Sequence, residues 1–150
     1  MKLIIPPPFQ VAILALVMWF IDKELPEFRL SFASYKLLTL LLVFCGIAIT
    51  AAAILKMFSV KTTLNPLNPA KASQLVTDGI FGFSRNPIYV GDLLFLTAWL
   101  VWLGNPANVL PLLLFPLYIT AFQIKPEEEA LLNLFDDEYK LYCNKVGRWL

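Results

Sequence analysis

The chain has 150 residues, 59% of them hydrophobic and only 15% charged, with a formal net charge of +1 and no histidine. A composition this apolar belongs to a membrane protein rather than a soluble domain of this size, and the near-zero charge without a basic, aromatic-interleaved stripe excludes nucleic-acid binding. Without histidine the commonest general base and metal ligand are missing, so Ser-His-Asp hydrolysis and histidine-based zinc chemistry are excluded and no metal site is expected.

Four apolar stretches run from Ile4 to Ile21, Leu37 to Leu55, Pro87 to Leu103 and Pro106 to Ile124. Each approaches the ~17 to 25 residues that cross a bilayer core of ~30 Å. The first follows Pro6, Pro7 and Pro8, and Lys2 ahead of an apolar run resembles a signal peptide. No small-residue cleavage site follows Phe20, so the segment reads as a retained anchor. The second is bounded by Lys36 and Lys56. The expected fold is all-α: a single polytopic membrane domain over residues 1–150, with about four transmembrane helices. Two further segments, 58–86 and the amphipathic helical tail 125–150, are expected on the cytoplasmic side. Neither is low-complexity, and no internal repeat is visible.

Basic residues orient such a chain. Lys2, Lys56, Lys61, Lys71, Arg85, Lys125, Lys140, Lys145 and Arg148 fall on one side of four crossings, and only Lys23, Arg29 and Lys36 on the other. Both termini and the middle segment are therefore expected in the cytoplasm. Cys45 in mid-membrane and Cys143 in the tail are placed too differently for a disulfide framework.

The middle segment opens with "LNPLNP", whose Asn65-Pro66 and Asn68-Pro69 pairs favour turns or extended backbone. "ASQLVTDGIFGF" follows, with Gly79 and Gly82 permitting a tight path beside a ligand. Its Leu75, Val76, Ile80, Phe81 and Phe83 carry too much apolar surface to lie free in water. In "SRNPIY", Asn86 suits an N-cap and Pro87 the first helical turn, so a helix starts here with its positive dipole end beside Arg85. That is a site for a carboxylate or phosphate. Taken alone it reads rather as an ordinary helix start with a positive-inside flank. Tyr89 and Asp92, at i and i+3, share a helix face just inside the membrane, where an ionisable group faces a cavity or partner, or snorkels out. In the tail, Glu127, Glu128 and Glu129 occupy a first helical turn favoured by the dipole, after Pro126. Leu132, Phe135, Tyr139, Tyr142 and Val146 then form an apolar stripe of the kind that packs. Asp136 and Asp137 interrupt that helix, and Gly147 ends it.

The combination says more than its parts. "LVTDGIFGFSRNPIYVG", followed one helical hairpin later by "EEEALLNLFDDEYKLY" and a terminal "VGRW", resembles the isoprenylcysteine carboxyl methyltransferase and phospholipid methyltransferase superfamily of integral membrane enzymes. Its pattern is L-V-T-x-G-x-(aromatic), R-(H/N)-P-x-Y-x-G, E-E-x-x-L and F-G-x-E-Y. The chain supplies nearly all of it at Leu75 to Gly91 and Glu128 to Tyr139, and the resemblance covers roughly the C-terminal two-thirds. It implies S-adenosylmethionine as cofactor and a lipid-like substrate entering from the bilayer. Matched by motif position, Gln74, Leu75 and Val76 would form walls for the cofactor, with Phe81 meeting its adenine or sulfonium. Asn86, Pro87 and Tyr89 would meet its amino-acid end, and Glu128 its ammonium or ribose. Arg85 would hold the cofactor carboxylate or orient the substrate, with Arg148 as a second cation; Arg85, Tyr89 and Asp92 are the catalytic candidates.

Two departures stand out. Asp136 replaces the family's usual glycine, and Ile124 stands where prenylcysteine enzymes carry an arginine for the substrate carboxylate. The expected acceptor is therefore an amine or hydroxyl on a lipid or small amphiphile. Asp92, Glu127, Glu129 and Tyr89 are the available proton acceptors. The rivals are a carboxyl methyltransferase of the isoprenylcysteine type, an NADPH-dependent relative of the sterol-type reductases, and a non-enzymatic membrane scaffold.

The orientation is tested by labelling Cys143 with an impermeant thiol reagent. Reaction is expected only after the inner face is opened, and labelling of intact cells from outside would contradict it.

Overall fold

The computed structural model describes residues 6–30, 34–60 and 74–150. The "LNPLNP" turns, with Lys61 and Lys71, lie outside the described residues. Every regular element among the described residues is helical. Helix α1 spans Pro7–Glu24 and α2 spans Tyr35–Ser59. Helix α3 is Pro87–Leu103 and α4 is Val109–Ile119; a π turn over Thr120–Ile124 carries the chain into α5, Lys125–Lys145. Helix α2 outruns its apolar stretch at both ends and α1 outruns its own at the C-terminal end, since lysines there can extend their stems to the interface without breaking the helix.

Among the described residues two stretches are long and apolar enough to cross a membrane: Tyr35–Ser59, and the continuous run Pro106–Lys145 that contains α4 and α5. Leu40, Phe44, Leu55 and Phe58 of α2 are exposed. Such a face is costly in water and unremarkable against lipid. Helix α2 packs chiefly on α3. Gly91 makes this possible, because a Cβ there would collide with Thr50 Oγ1 and come within 3.2 Å of the Gly46 carbonyl oxygen. Small residues let helices approach where lipid offers no hydrophobic drive for association. On its other side α3 meets α1 and α4 in a core of Met18, Tyr89, Leu96, Phe115, Ile119 and Ile124. Trp99 Nε1, which must find an acceptor in that core, donates to the Ala15 carbonyl at 3.0 Å.

The end of the bundle away from the tail is closed by polar contacts. Gly104 ends α3 in the left-handed region (φ 66°), and its carbonyl accepts Leu30 N–H at 2.7 Å. Fully buried Asn105 accepts from Ala107 N–H at 3.1 Å and donates to the Leu25 carbonyl at 2.8 Å. Asp22 pairs with Arg29 through both its oxygens. These hydrogen bonds hold the buried Asp22 carboxyl below its ordinary range, against the cost of burial.

The tail differs from the separate helix expected after a break at Pro126. A proline ring clashes with the carbonyl four residues back and cannot donate an N–H, so a helix running through Pro126 must widen before it. It does so in the π turn, where Lys125 N–H reaches the Thr120 carbonyl. The expected interruption at Asp136 is present as a kink: Asp136 has φ 37° and ψ −110° inside α5. This is backbone that favours glycine, so Asp136 adopts here a conformation that an aspartate reaches only under strain. Beyond it, Tyr139, Tyr142 and Val146 pack with Leu75, Leu131 and Phe135 in a second core.

Asp136→Gly is expected to raise stability by about 1 kcal/mol. Relief of ~1 to 3 kcal/mol of strain outweighs the ~0.5 to 1 kcal/mol entropic cost of glycine, and the exposed pair with Lys140 contributes little. Thermal unfolding in detergent checks it; a lower midpoint would show that the aspartate itself holds the kink.

Candidate active site

Where α3 begins, Asn86 occupies the N-cap position but does not cap: no side-chain hydrogen bond closes the first turn. Its amide instead donates to the Arg148 carbonyl at 2.9 Å, while Ser84 Oγ accepts Asn86 N–H at 3.1 Å. The sequence reading of Asn86 as a cap is corrected here. The competing acceptor is a carbonyl of the C-terminal segment, which sequence spacing could not place. The first turn of α3 thus keeps its dipole and N–H groups for another anion.

Arg85 sits beside that helix end with its side chain only 12% exposed. Its Nη1 lies 3.2 Å from Glu128 Oε1, near the Tyr139 hydroxyl (3.5 Å) and the Cys143 thiol. Its Nε is buried without a hydrogen-bond partner among the described residues. Arg148 forks onto the same carboxylate, Nε to Oε1 at 2.9 Å and Nη2 to Oε2 at 2.7 Å. The planar guanidinium matches the carboxylate in this bidentate form. Glu128 therefore bridges an arginine at the start of α3 and one in the final segment.

Backbone and ring contacts reinforce the bridge. Arg85 N–H donates to the Gly147 carbonyl at 3.1 Å, and Trp149 Nε1 to Thr120 Oγ1 at 3.3 Å, so residues 147–149 form a strap across α3 and the π turn. The 3-10 turn Gly79–Gly82 is tied in by Tyr142, whose hydroxyl donates to the Phe81 carbonyl at 2.7 Å. Burial pushes the Tyr139 and Tyr142 phenols above their ordinary range, so both remain donors at neutral pH.

A second polar group sits at the π turn. Glu127 Oε1 accepts from Tyr89 OH at 2.8 Å and from Gln123 Nε2 at 2.6 Å. Burial raises Glu127 from the usual 4.5 to about 7, opposed by these two hydrogen bonds and assisted slightly by Glu128. Gln123 was not foreseen, although its i, i+4 spacing to Glu127 ahead of a helix-opening proline was a usable signal.

The structure thus brings Phe81, Arg85, Asn86, Pro87, Tyr89, Glu128 and Arg148 around one helix start. Leu75 joins through the second core, Val76 is half-buried nearby in sequence, and Gln74 is exposed. Asp92 lies a turn deeper and takes no hydrogen bond or ion pair among the described residues. Ile124 is fully buried in the first core, and Glu129 is exposed. The group implied by the sequence resemblance fits these residues. An uncapped helix start and a buried, unpartnered arginine nitrogen suit its carboxylate, a carboxylate suits its ammonium, and Phe81 suits its ring or sulfonium.

The sequence model of the phospholipid methyltransferase family matches residues 35–138. An uncharacterized protein of Haemophilus influenzae is 48% identical over 63 residues, 42% of this chain and 100% of that protein. The protein-S-isoprenylcysteine O-methyltransferase of Schizosaccharomyces pombe is 39% identical over 75 residues. That alignment covers 48% of this chain and 30% of the yeast enzyme's length. No solved structure matches significantly.

Arg148→Ala is expected to release the strap. Hydrogen exchange at the Arg85 amide should lose protection, with a stability loss of roughly 1 to 2 kcal/mol, the charge-assisted value reduced because Arg148 is partly exposed. Unchanged protection would show that the fork does not hold the segment.

Proposed function

The chain belongs to the phospholipid methyltransferase family, and from that premise we propose that it transfers a methyl group from S-adenosylmethionine to a lipid or small amphiphile at an amine or hydroxyl. The observation that carries this reading is the uncapped start of α3 beside Arg85, whose buried Nε has no partner among the described residues. Arg85 Nη1 lies 3.2 Å from Glu128 Oε1, within the motifs that carry the sequence resemblance.

In this reading Arg85 and the first turn of α3 hold the cofactor carboxylate, and Glu128 takes its ammonium or ribose in exchange for part of the Arg148 fork. Phe81 meets the adenine or sulfonium. Gln74, Leu75 and Val76 wall the cofactor, and Asn86, Pro87 and Tyr89 line its amino-acid end. The bound cofactor supplies a methyl carbon already activated on a sulfonium. The protein's share of the work is to orient the nucleophile, exclude water and receive a proton. Four crossings with both termini cytoplasmic put the site at the inner membrane surface. An apolar cleft of about 260 Å³ between α1 and α4, lined by Ile13, Leu14, Leu114 and Phe115 among others, would take the hydrocarbon of the acceptor.

The yeast relative favours a second reading, carboxyl methylation of a prenylated cysteine. Ile124 weighs against it. An arginine is needed there to offset desolvation of a substrate carboxylate, and Ile124 is buried in the α1/α3/α4 core.

Arg85→Ala and Glu128→Ala are each expected to weaken S-adenosylmethionine binding by roughly 1.5 to 3 kcal/mol, and Glu127→Ala by far less. Calorimetric titration in detergent checks this; three folded variants that bind like the wild type would remove the site assignment. In the same preparations a labelled methyl group should pass to membrane lipid and poorly to a farnesylcysteine analogue. An efficiently formed, base-labile ester on that analogue would establish the second reading instead.

A further inference from the structure

Glu127 takes no part in the Arg85–Glu128–Arg148 bridge, yet two side chains from different elements hold it. Both of its donors, Tyr89 from α3 and Gln123 from the π turn, meet the same oxygen, Oε1. Oε2 receives no hydrogen bond among the described residues. The π turn produces this arrangement: with Pro126 forcing the helix open, Gln123 turns fully inward, one turn ahead of Glu127 and against buried Tyr89. A carboxylate fixed through one oxygen with the other left open is oriented to exchange a proton rather than to bear a structural load.

The proposed activity needs such a group. A nucleophilic amine or hydroxyl that gains a methyl must lose a proton, and an exposed carboxylate near its usual 4.5 is a weak base for that purpose. The other acidic candidates are less suited. Glu129 is exposed, Glu128 is occupied by two arginines, and Asp92 lies deeper without a hydrogen-bonded partner among the described residues.

We propose that Glu127 is the proton acceptor for the methyl acceptor's nucleophile, at Oε2, with Tyr89 and Gln123 as positioning residues acting through Oε1. This rests on the methyltransferase reading above. As the nucleophile's bond to the methyl carbon forms, the carbon–sulfur pair stays on the sulfur of the sulfonium donor and the nucleophile's proton passes to Glu127. Burial, which sets Glu127 to titrate near 7, brings its basicity toward the working pH, where general-base catalysis is most effective. The groups facing it are Tyr89 on α3, Gln123 in the π turn and Glu128 on α5, the last neutralised by its arginines; Asp92 acts on the same Tyr89 hydroxyl.

The test uses the full chain in lipid nanodiscs and has two readouts. The first is infrared titration of the protonated carboxyl band. In the wild type a band should disappear with a midpoint near 7; it should be absent in Glu127→Gln and retained in Asp92→Asn. Tyr89→Phe and Gln123→Leu each remove a bond that favours the carboxylate, so the midpoint should rise in both. The second is transfer of labelled methyl to membrane lipid. The wild-type kcat should rise with pH to a plateau above about 7. Glu127→Gln should lower kcat by about 100-fold or more while leaving S-adenosylmethionine affinity unchanged. The inference falls if Glu127→Gln keeps the band, or keeps the wild-type kcat and pH profile. If the wild type binds no S-adenosylmethionine and transfers no methyl group, the underlying reading falls and this inference with it.

Discussion

One carboxylate holds the working end of this protein together. Glu128 is shared by Arg85, at the start of a helix read as membrane-spanning, and by Arg148, in the last residues of the chain. Opposite charges at such distances attract by only about 1 kcal/mol in water but several times more where water is largely excluded, as around Arg85 and Glu128. Removing one partner is costly because the others remain buried and charged. Two cations on one anion also leave a surplus positive charge. With the unclosed first turn of α3, that surplus makes the place suited to a further anion rather than self-sufficient.

Everything around the bridge serves to bring those three side chains into register. Close packing of α3 on α2 across Gly91 fixes the helix start beside Arg85 relative to α2. Continuity of α4 into α5 through the π turn fixes Glu127 and Glu128 relative to Tyr89 and Arg85. The kink at Asp136 then turns the tail so that Tyr139 and Tyr142 return onto Leu75 and the Phe81 carbonyl. Each device is local and rests on one residue: Gly91 through its missing side chain, Pro126 through its ring and Asp136 through its positive φ.

Much of this was legible in the sequence where a residue acts on its own neighbours. Helix α3 runs from Pro87 to Leu103 as its composition and proline start indicated, and the kink falls at the expected aspartate. The motif residues Phe81, Arg85, Tyr89, Glu128 and Arg148 do converge. What the sequence did not reveal depends on long-range partners. Asn86 looked like a cap because that is its local role, and only the folded strap offers it a better acceptor. Gln123 was not singled out in the sequence, because the helix-opening effect of Pro126 on the preceding turn is needed to aim it at Glu127. For Glu128 the resemblance implies a cofactor ammonium or ribose, and the two arginines that also reach it are long-range partners that spacing could not place.

Family membership and this geometry argue together for a sulfonium cofactor over a nicotinamide one and over a purely structural role. The central claim is that the Arg85 cleft is built for S-adenosylmethionine. Its most direct test is calorimetric titration of the purified protein in detergent with S-adenosylmethionine and, in parallel, with NADPH. The account predicts saturable binding of one S-adenosylmethionine per chain and no heat from NADPH. Saturable NADPH binding with none for S-adenosylmethionine, or no binding of either, would contradict it.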